Sequence, residues 1–170
     1  GREAPLILRF RMNDAQDFEF DPSANLQANN FFLDDDAGAV GENATFSTSM
    51  AFTNLVPGTY DVSEVNLPTG WTLSNISCPT ATVTIGADSD FDTGDTGASV
   101  TLAAGENITC TLTNTKKGSI TIIKDAQPND AQDFQFTRSF GANFFLDDDA
   151  DPFLTNSLTV SNLLPGSYTV

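Results

Sequence analysis

At 170 residues and 18.1 kDa the chain has room for one or two small domains. Seven basic against 23 acidic residues leave a net charge of −16, which repels nucleic-acid phosphates and anionic lipid and makes cations the natural small partners. The absence of histidine excludes Ser-His-Asp and Cys-His triads and His-ligated zinc, while 39% apolar residues with 14 Phe suffice for packed cores.

The chain opens on GREAPLILRFRM, a short apolar run broken by Arg9 and Arg11 with no small-residue cleavage site, so no signal peptide is expected in it. No stretch approaches the roughly 18 consecutive apolar residues of a membrane helix. From there on the apolar residues alternate: Phe18/Phe20, Tyr60/Val62, Trp71/Leu73, Val83/Ile85, Val100/Leu102 and Ile108/Cys110/Leu112, then Ile120/Ile122, Phe134/Phe136, Leu158/Val160 and Tyr168/Val170. Period-two alternation predicts strands with one buried face. Turn signals such as Val-Pro-Gly, Pro-Thr-Gly and Ala-Gly-Glu separate them, and no segment has helical periodicity. The fold class is therefore all-β, a sandwich.

An internal repeat organises the chain. NDAQDFEF at 13–20 returns as NDAQDFQF at 129–136, NNFFLDDDA at 29–37 as ANFFLDDDA at 142–150, and TNLVPGTYDV at 53–62 as SNLLPGSYTV at 161–170. The reading is one complete unit, 1–117, followed by the first half of a second, 118–170. Strands of half a sandwich expose open edges, so the second unit is expected either to continue in a longer tandem array or to accept strands from another copy, joining copies head to tail.

Cys78 and Cys110 are too far apart for a CxxC pair and too few for an all-cysteine zinc site. Cys110 shares parity with Ile108 and Leu112, and Cys78 with Ile76, so both sulfurs are expected in the core. One disulfide is the simplest reading and two buried free thiols the alternative. A bridge implies an oxidising location.

Two acidic constellations repeat. LDDD supplies Asp34, Asp35 and Asp36, then Asp147, Asp148 and Asp149; NDAQD supplies Asn13, Asp14 and Asp17, then Asn129, Asp130 and Asp133. One lies just before a strand and the other just after another, so they can converge at one end of the domain. Six to eight hard oxygen ligands are what Ca²⁺ takes; a solvated acidic rim is the competing reading. Asp88-Ser-Asp90-Phe-Asp92-Thr-Gly94-Asp95 has oxygens at alternate positions, but its glycine is one place late for an EF-hand and no Glu closes it, so it reads as a polar loop. A glycosidase pair needs an apolar pocket and a cleft, which mostly core-parity Phe does not provide, and no enzymatic activity is expected. Three sequons, at Asn43, Asn75 and Asn107, permit N-glycosylation. Trp71 is expected in the core against the disulfide.

Together GSITIIKDAQPNDAQDFQF, FFLDDDADP, SNLLPGSYTV, GWTLSNISC and ITCTLTNTKKGSITIIKD resemble the prealbumin-like, Cna-B or SpaA-like repeats of microbial surface and pilus-like proteins. The L-x-PG-x-Y-x-V turn, the downstream GW, the cysteines and the closing TNT-K-x-G follow one another in that order. The resemblance implies an extracellular, cell-surface β-sandwich used as a stalk, spacer or filament building block, with copies of itself as partners. The alternative is an adhesin or a carbohydrate-binding module for surface or matrix glycans. It also implies an isopeptide between a first-strand Lys and a last-strand Asn, assisted by a buried acid. Asn114 and Glu64 occupy the latter two places, whereas counting back 116 from Lys124 reaches Leu8, so the crosslink is not expected; Glu64 and Asn114 read as ordinary strand residues with any buried polar atoms paired to backbone, and the cysteine bridge is the replacement staple.

Overall fold

The computed structural model describes residues 4–11, 16–34, 46–79, 82–128, 131–148 and 153–170. Among these every regular element is a strand: β1 (Ala4–Arg11), β2 (Phe18–Pro22), β3 (Phe31–Leu33), β4 (Ser49–Leu55), β5 (Gly58–Val65), β6 (Trp71–Ser77), β7 (Thr82–Ile85), β8 (Gly97–Leu102), β9 (Ile108–Lys116), β10 (Gly118–Ile123), β11 (Phe134–Phe136), β12 (Phe144–Leu146) and β13 (Ser157–Leu163). No helix among them is long and apolar enough to cross a membrane. The chain divides into two compact units, 1–115 and 116–170.

The first unit is a two-layer sandwich. One sheet runs β4-β1-β9-β6 and the other β3-β2-β5-β8-β7. Alternation decides what each strand buries: Leu6 and Leu8 from β1, Phe18 and Phe20 from β2, Tyr60 and Val62 from β5, Val100 and Leu102 from β8, and Ile108, Cys110 and Leu112 from β9 form one core. Aromatic rings fill its middle, Phe20 stacked on Phe31 at 5.4 Å and Phe31 edge-on to Phe52 at 5.7 Å. The β1–β4, β2–β3, β2–β5, β5–β8 and β7–β8 pairs are antiparallel, but β1 pairs β9 in parallel, Leu6 through Arg11 opposite Ile108 through Thr113. First and last strands of the unit are thus neighbours that run the same way.

The second unit contains counterparts of β1 to β4. β10 pairs β13 antiparallel as β1 pairs β4, and β11 pairs β12 as β2 pairs β3. Small details repeat with the register. The ladder shifts between Ala4 and Leu6 and again between Gly118 and Ile120. Asn54 and Asn162 both take φ 62°, a left-handed conformation that Asn tolerates better than most residues. The Tyr60 hydroxyl donates to Val56 O (2.7 Å), and the Tyr168 hydroxyl to Leu164 O. Ser23 exchanges bonds with Asp61, N–H to O at 2.8 Å and N–H to Oγ at 3.0 Å, and Ser139 does the same with Thr169, both at 3.1 Å.

This register corrects the expected alignment of the first strands. Leu6–Phe52 corresponds to Ile120–Val160 and Arg9–Ser49 to Ile123–Ser157, an offset of 114 rather than 116 for β1 and β10. The second unit has two more residues between its first strand and NDAQD. The counterpart of Lys124 is therefore Phe10, not Leu8, and Leu8 is simply a core residue, 2% exposed.

Candidate functional site

Two inward positions of the first unit hold polar rather than apolar side chains. Glu64 continues the buried face of Tyr60 and Val62 on β5, and Asn114 that of Ile108, Cys110 and Leu112 on β9. Because β5 and β9 belong to opposite sheets, strict alternation aims the two at each other across the sandwich. Each is 6% exposed, and Asn114 Nδ2 donates to Glu64 Oε1. Asn114 Oδ1 is buried with no hydrogen-bond partner among the described residues. Burial pushes the Glu64 carboxyl up to about 7, against the Asn114 hydrogen bond, which pulls it down. A cavity of about 150 Å³ beside Glu64 is lined by Thr72, Leu73, Asp95 and Thr96. This is the acid and amide of the crosslinking arrangement that the family resemblance implies, without its lysine: β1 has none. In the second unit Lys124 lies 4.0 Å over the ring of Phe134, the counterpart of Phe18.

The two cysteines are bonded, Cys78 to Cys110, with Cα atoms 4.2 Å apart. The bond ties the end of β6 to β9, neighbours in one sheet, so it is a cross-strand tie and not a bridge between layers. Ser74 continues the same pairing, donating to Thr113 O (3.0 Å) and accepting from Thr115 Oγ1 (2.8 Å). Trp71 is buried as expected but not against the sulfurs. It meets Phe18 edge-on at 5.5 Å, because it starts β6 whereas Cys78 follows that strand's other end, a strand length of about 20 Å away.

Of the twelve residues proposed for calcium, Asn13, Asp14, Asp35, Asp36, Asn129, Asp130 and Asp149 lie outside the described residues. The β2–β3 register, Phe18 opposite Leu33, sets Asp17 and Asp34 at one end of that pair; Phe134 opposite Leu146 does the same for Asp133 and Asp147. Asp34 and Asp147 are each 3% exposed, and their N–H groups donate to Ser47 O and Thr155 O, both at 3.1 Å. Asp148 accepts the Ala126 N–H, holding the segment after β10. Among the described residues no three carboxylates or thiolates form a metal-holding group.

The Asp88–Asp95 loop is built from turns. Asp88 Oδ1 accepts from Asp90 N (2.9 Å) and Asp95 Oδ2 from Asp92 N (2.7 Å). A Cβ on Gly86, at φ +57°, would fall 1.8 Å from Asp95 Oδ1, so the loop closes over a residue that must be glycine. Of the sequon residues, Asn75 and Asn107 are exposed, with Ile108 inward beside Asn107, and Asn43 lies outside the described residues. A depression of about 310 Å³ next to the disulfide is lined in part by Asn75, Pro79, Asp90 and Phe91.

Searches of the curated proteins and of the solved structures return no match. A family model does match: that of a SpaA-type prealbumin-like fold domain, over residues 10–116. That span is most of the chain and takes in the sandwich from the end of β1 through β9, with its buried Glu64–Asn114 pair and its disulfide, and the chain belongs to the prealbumin-like fold domain family.

Proposed function

We propose that the chain is an extracellular, load-bearing spacer made of tandem β-sandwich units, one complete and a second begun, displayed on a cell surface as a stalk or filament segment. One observation supports it above the rest: β1 and β9 are parallel neighbours. The backbone enters the unit at the start of β1 and leaves at the end of β9, so tension between the two points pulls adjacent strands in opposite directions along their length. The six paired positions, Leu6–Arg11 with Ile108–Thr113, are then loaded together in shear rather than unzipped one bond at a time. The disulfide fits an oxidising location. Membership of a surface-protein family points the same way.

Single-molecule stretching of the 170-residue chain tests this. The first unit should yield in one abrupt, high-force event. In the oxidised chain the stretch from Cys78 to Cys110, a sequence separation of 32, stays locked, so the length released is shorter than after reduction by about 110 Å, at about 3.5 Å per residue. Gradual extension at low force would refute a load-bearing role.

Calcium belongs to the same proposal. The acids that repeat between units, with Asp34 and Asp147 at matching strand ends, support a bound Ca²⁺ that stiffens the array. An adhesin role on surface glycans has no comparable observation behind it.

A further inference from the structure

The two sulfurs of the Cys78–Cys110 bond sit in different surroundings. Cys78 follows the end of β6, is half-buried, and lines the depression of about 310 Å³ together with the exposed Asn75, Pro79 and Asp90. Cys110 is 1% exposed. It lies on β9 between Ile108 and Leu112 on the buried face, and opposite it in the β1–β9 ladder stands Leu8, also buried. Because β1 and β6 flank β9 in the sheet, separating β1 from β9 opens the layer in which Cys110 is buried.

A thiolate exchanges with a disulfide by attacking one sulfur and expelling the other as a thiolate. From the depression the sulfur within reach is that of Cys78. The group expelled is then the Cys110 thiolate, a charge released among Leu8, Ile108 and Leu112, where burial disfavours it. Attack on Cys110 expels the Cys78 thiolate at the wetter end, the easier departure, but Cys110 is out of a reagent's reach while the sandwich is closed. Each route is blocked for its own reason, and opening the β1–β9 ladder unblocks both.

We propose that this disulfide is a mechanically gated redox site, shut to thiols while β1 is paired with β9 and open to them once that ladder shears. The part played by force rests on the spacer reading above; the shielding of the bond in the resting unit does not. After shear the pull runs from the segment before Cys78, through the sulfur–sulfur bond, into the segment after Cys110. A dithiol then attacks one sulfur, forms a mixed disulfide and expels the other as a thiolate. Its second thiol closes on the first and leaves as a cyclic disulfide. The dithiol is oxidised by two electrons, the cystine is reduced by two, and the dithiol's two protons end on the cysteines. The stretch from Cys78 to Cys110, a sequence separation of 32, is freed, and the unit lengthens by about 110 Å at about 3.5 Å per residue.

The test incubates the 170-residue chain with dithiothreitol, an uncharged dithiol, and counts freed cysteines by alkylation and mass. In native buffer reduction should run about a hundredfold or more slower than in urea that unfolds the chain, and should accelerate with urea below the transition as open molecules become commoner. Leu6→Ala, in β1 opposite Ile108, should speed it about thirtyfold or more. Asp90→Asn should leave the rate within about twofold, since burial and not the carboxylate beside the depression guards the bond. Reduction of the folded chain at the unfolded rate overturns the proposal. So does a gain of about tenfold in Asp90→Asn, or a Leu6→Ala chain that is less stable in urea yet reduced no faster. At constant force a second step of about 110 Å should follow the yield of the first unit only when dithiothreitol is present, and such a step before that yield refutes the gate. Fast reduction of the resting chain removes the gate and leaves the spacer reading standing, whereas gradual extension at low force removes the spacer reading, and with it the part played by force, whatever the chemistry does.

Discussion

Glu64→Gln should convert a pH-dependent sandwich into one that is much less so. In the folded chain burial holds the Glu64 carboxyl at about 7 against an ordinary 4.5; in the unfolded chain it returns to the ordinary value. The folded state therefore binds this proton more tightly. The stability it contributes is fully present below about pH 4.5 and is lost as the pH rises through about 7. At 1.36 kcal/mol per pH unit, the gap between about 7 and 4.5 is worth about 3 kcal/mol, or a fall in melting temperature on the order of 10 °C for a unit of this size. Glutamine keeps the shape of the protonated acid and still accepts from Asn114 Nδ2. The variant should match the parent at pH 4.5 and exceed it by about 2–3 kcal/mol at pH 8. Urea melts at half-unit pH intervals, read from the fluorescence of Trp71, the single tryptophan, give the two curves. Other carboxylates impose their own slope on both proteins and cancel in the difference. Parallel curves from pH 4.5 to 8 would refute the claim that Glu64 is held protonated by its place between the sheets.

Reducing the disulfide, or replacing both cysteines by serine, should cost about 3–4 kcal/mol for a loop of 32 residues, measured by denaturant melts with and without reductant; a change below about 1 kcal/mol would mean that β6 and β9 hold their register unaided. Chelation should lower the melting temperature if the repeated acids hold Ca²⁺, since a site at one hundred times its dissociation constant adds about 2.7 kcal/mol, and an identical melt in EDTA and in millimolar calcium ends the metal proposal. Gly86→Ala should destabilise the first unit by about 1–3 kcal/mol, because its Cβ meets Asp95 Oδ1 at 1.8 Å and its φ is +57°. Adding Asp95→Ala should recover only the steric part, and full recovery would show the left-handed backbone to be cost-free.

Much of this was legible in alternation alone. The parity of Ile108, Cys110 and Leu112 extends to Asn114, and that of Tyr60 and Val62 to Glu64, so the buried face of both is readable; that they bond each other and not the backbone, as ordinary strand residues would, depends on which sheets face each other and is not. The cysteine pair was readable for the same reason. What alternation does not encode is which strands become neighbours. The parallel β1–β9 pair joins residues about a hundred positions apart, and nothing local specifies it. The offset of the first strands is hidden because the NDAQD segments align so well that they impose their own spacing. A difference of two residues preserves parity and leaves no trace in the apolar pattern. Parity puts Trp71 on the buried face of β6 but does not separate its neighbour Phe18 from the disulfide at the strand's other end, because it says which face a residue occupies and not how far along the strand its neighbours lie. Asp148 illustrates a further limit: a carboxylate in an acidic run serves as a backbone acceptor for Ala126, a local use that composition cannot separate from metal binding.

The placement of the covalent tie bears on how such a spacer behaves under load. A Lys–Asn crosslink between first and last strands, as the family resemblance implies, would join β1 to β9 directly, carry tension past the folded core and make the unit inextensible. Here that position on β1 corresponds to Phe10, and the tie runs from β6 to β9. The β1–β9 ladder remains the noncovalent element that tension must break. Once it shears, the segments before Cys78 and after Cys110 can extend, while the loop between them remains closed and keeps part of the β6–β9 pairing close at hand for refolding. Glu64 then acts on the same event without any bond chemistry: its pair with Asn114 spans β5 and β9, and the buried carboxyl destabilises the sandwich as it ionises by more than the hydrogen bond from Asn114 offsets. The force at which the unit yields should therefore fall between pH 5 and pH 8 in the parent chain and stay level in Glu64→Gln. That outcome links the buried pair to load-bearing, and equal pH dependence in both chains would separate the two.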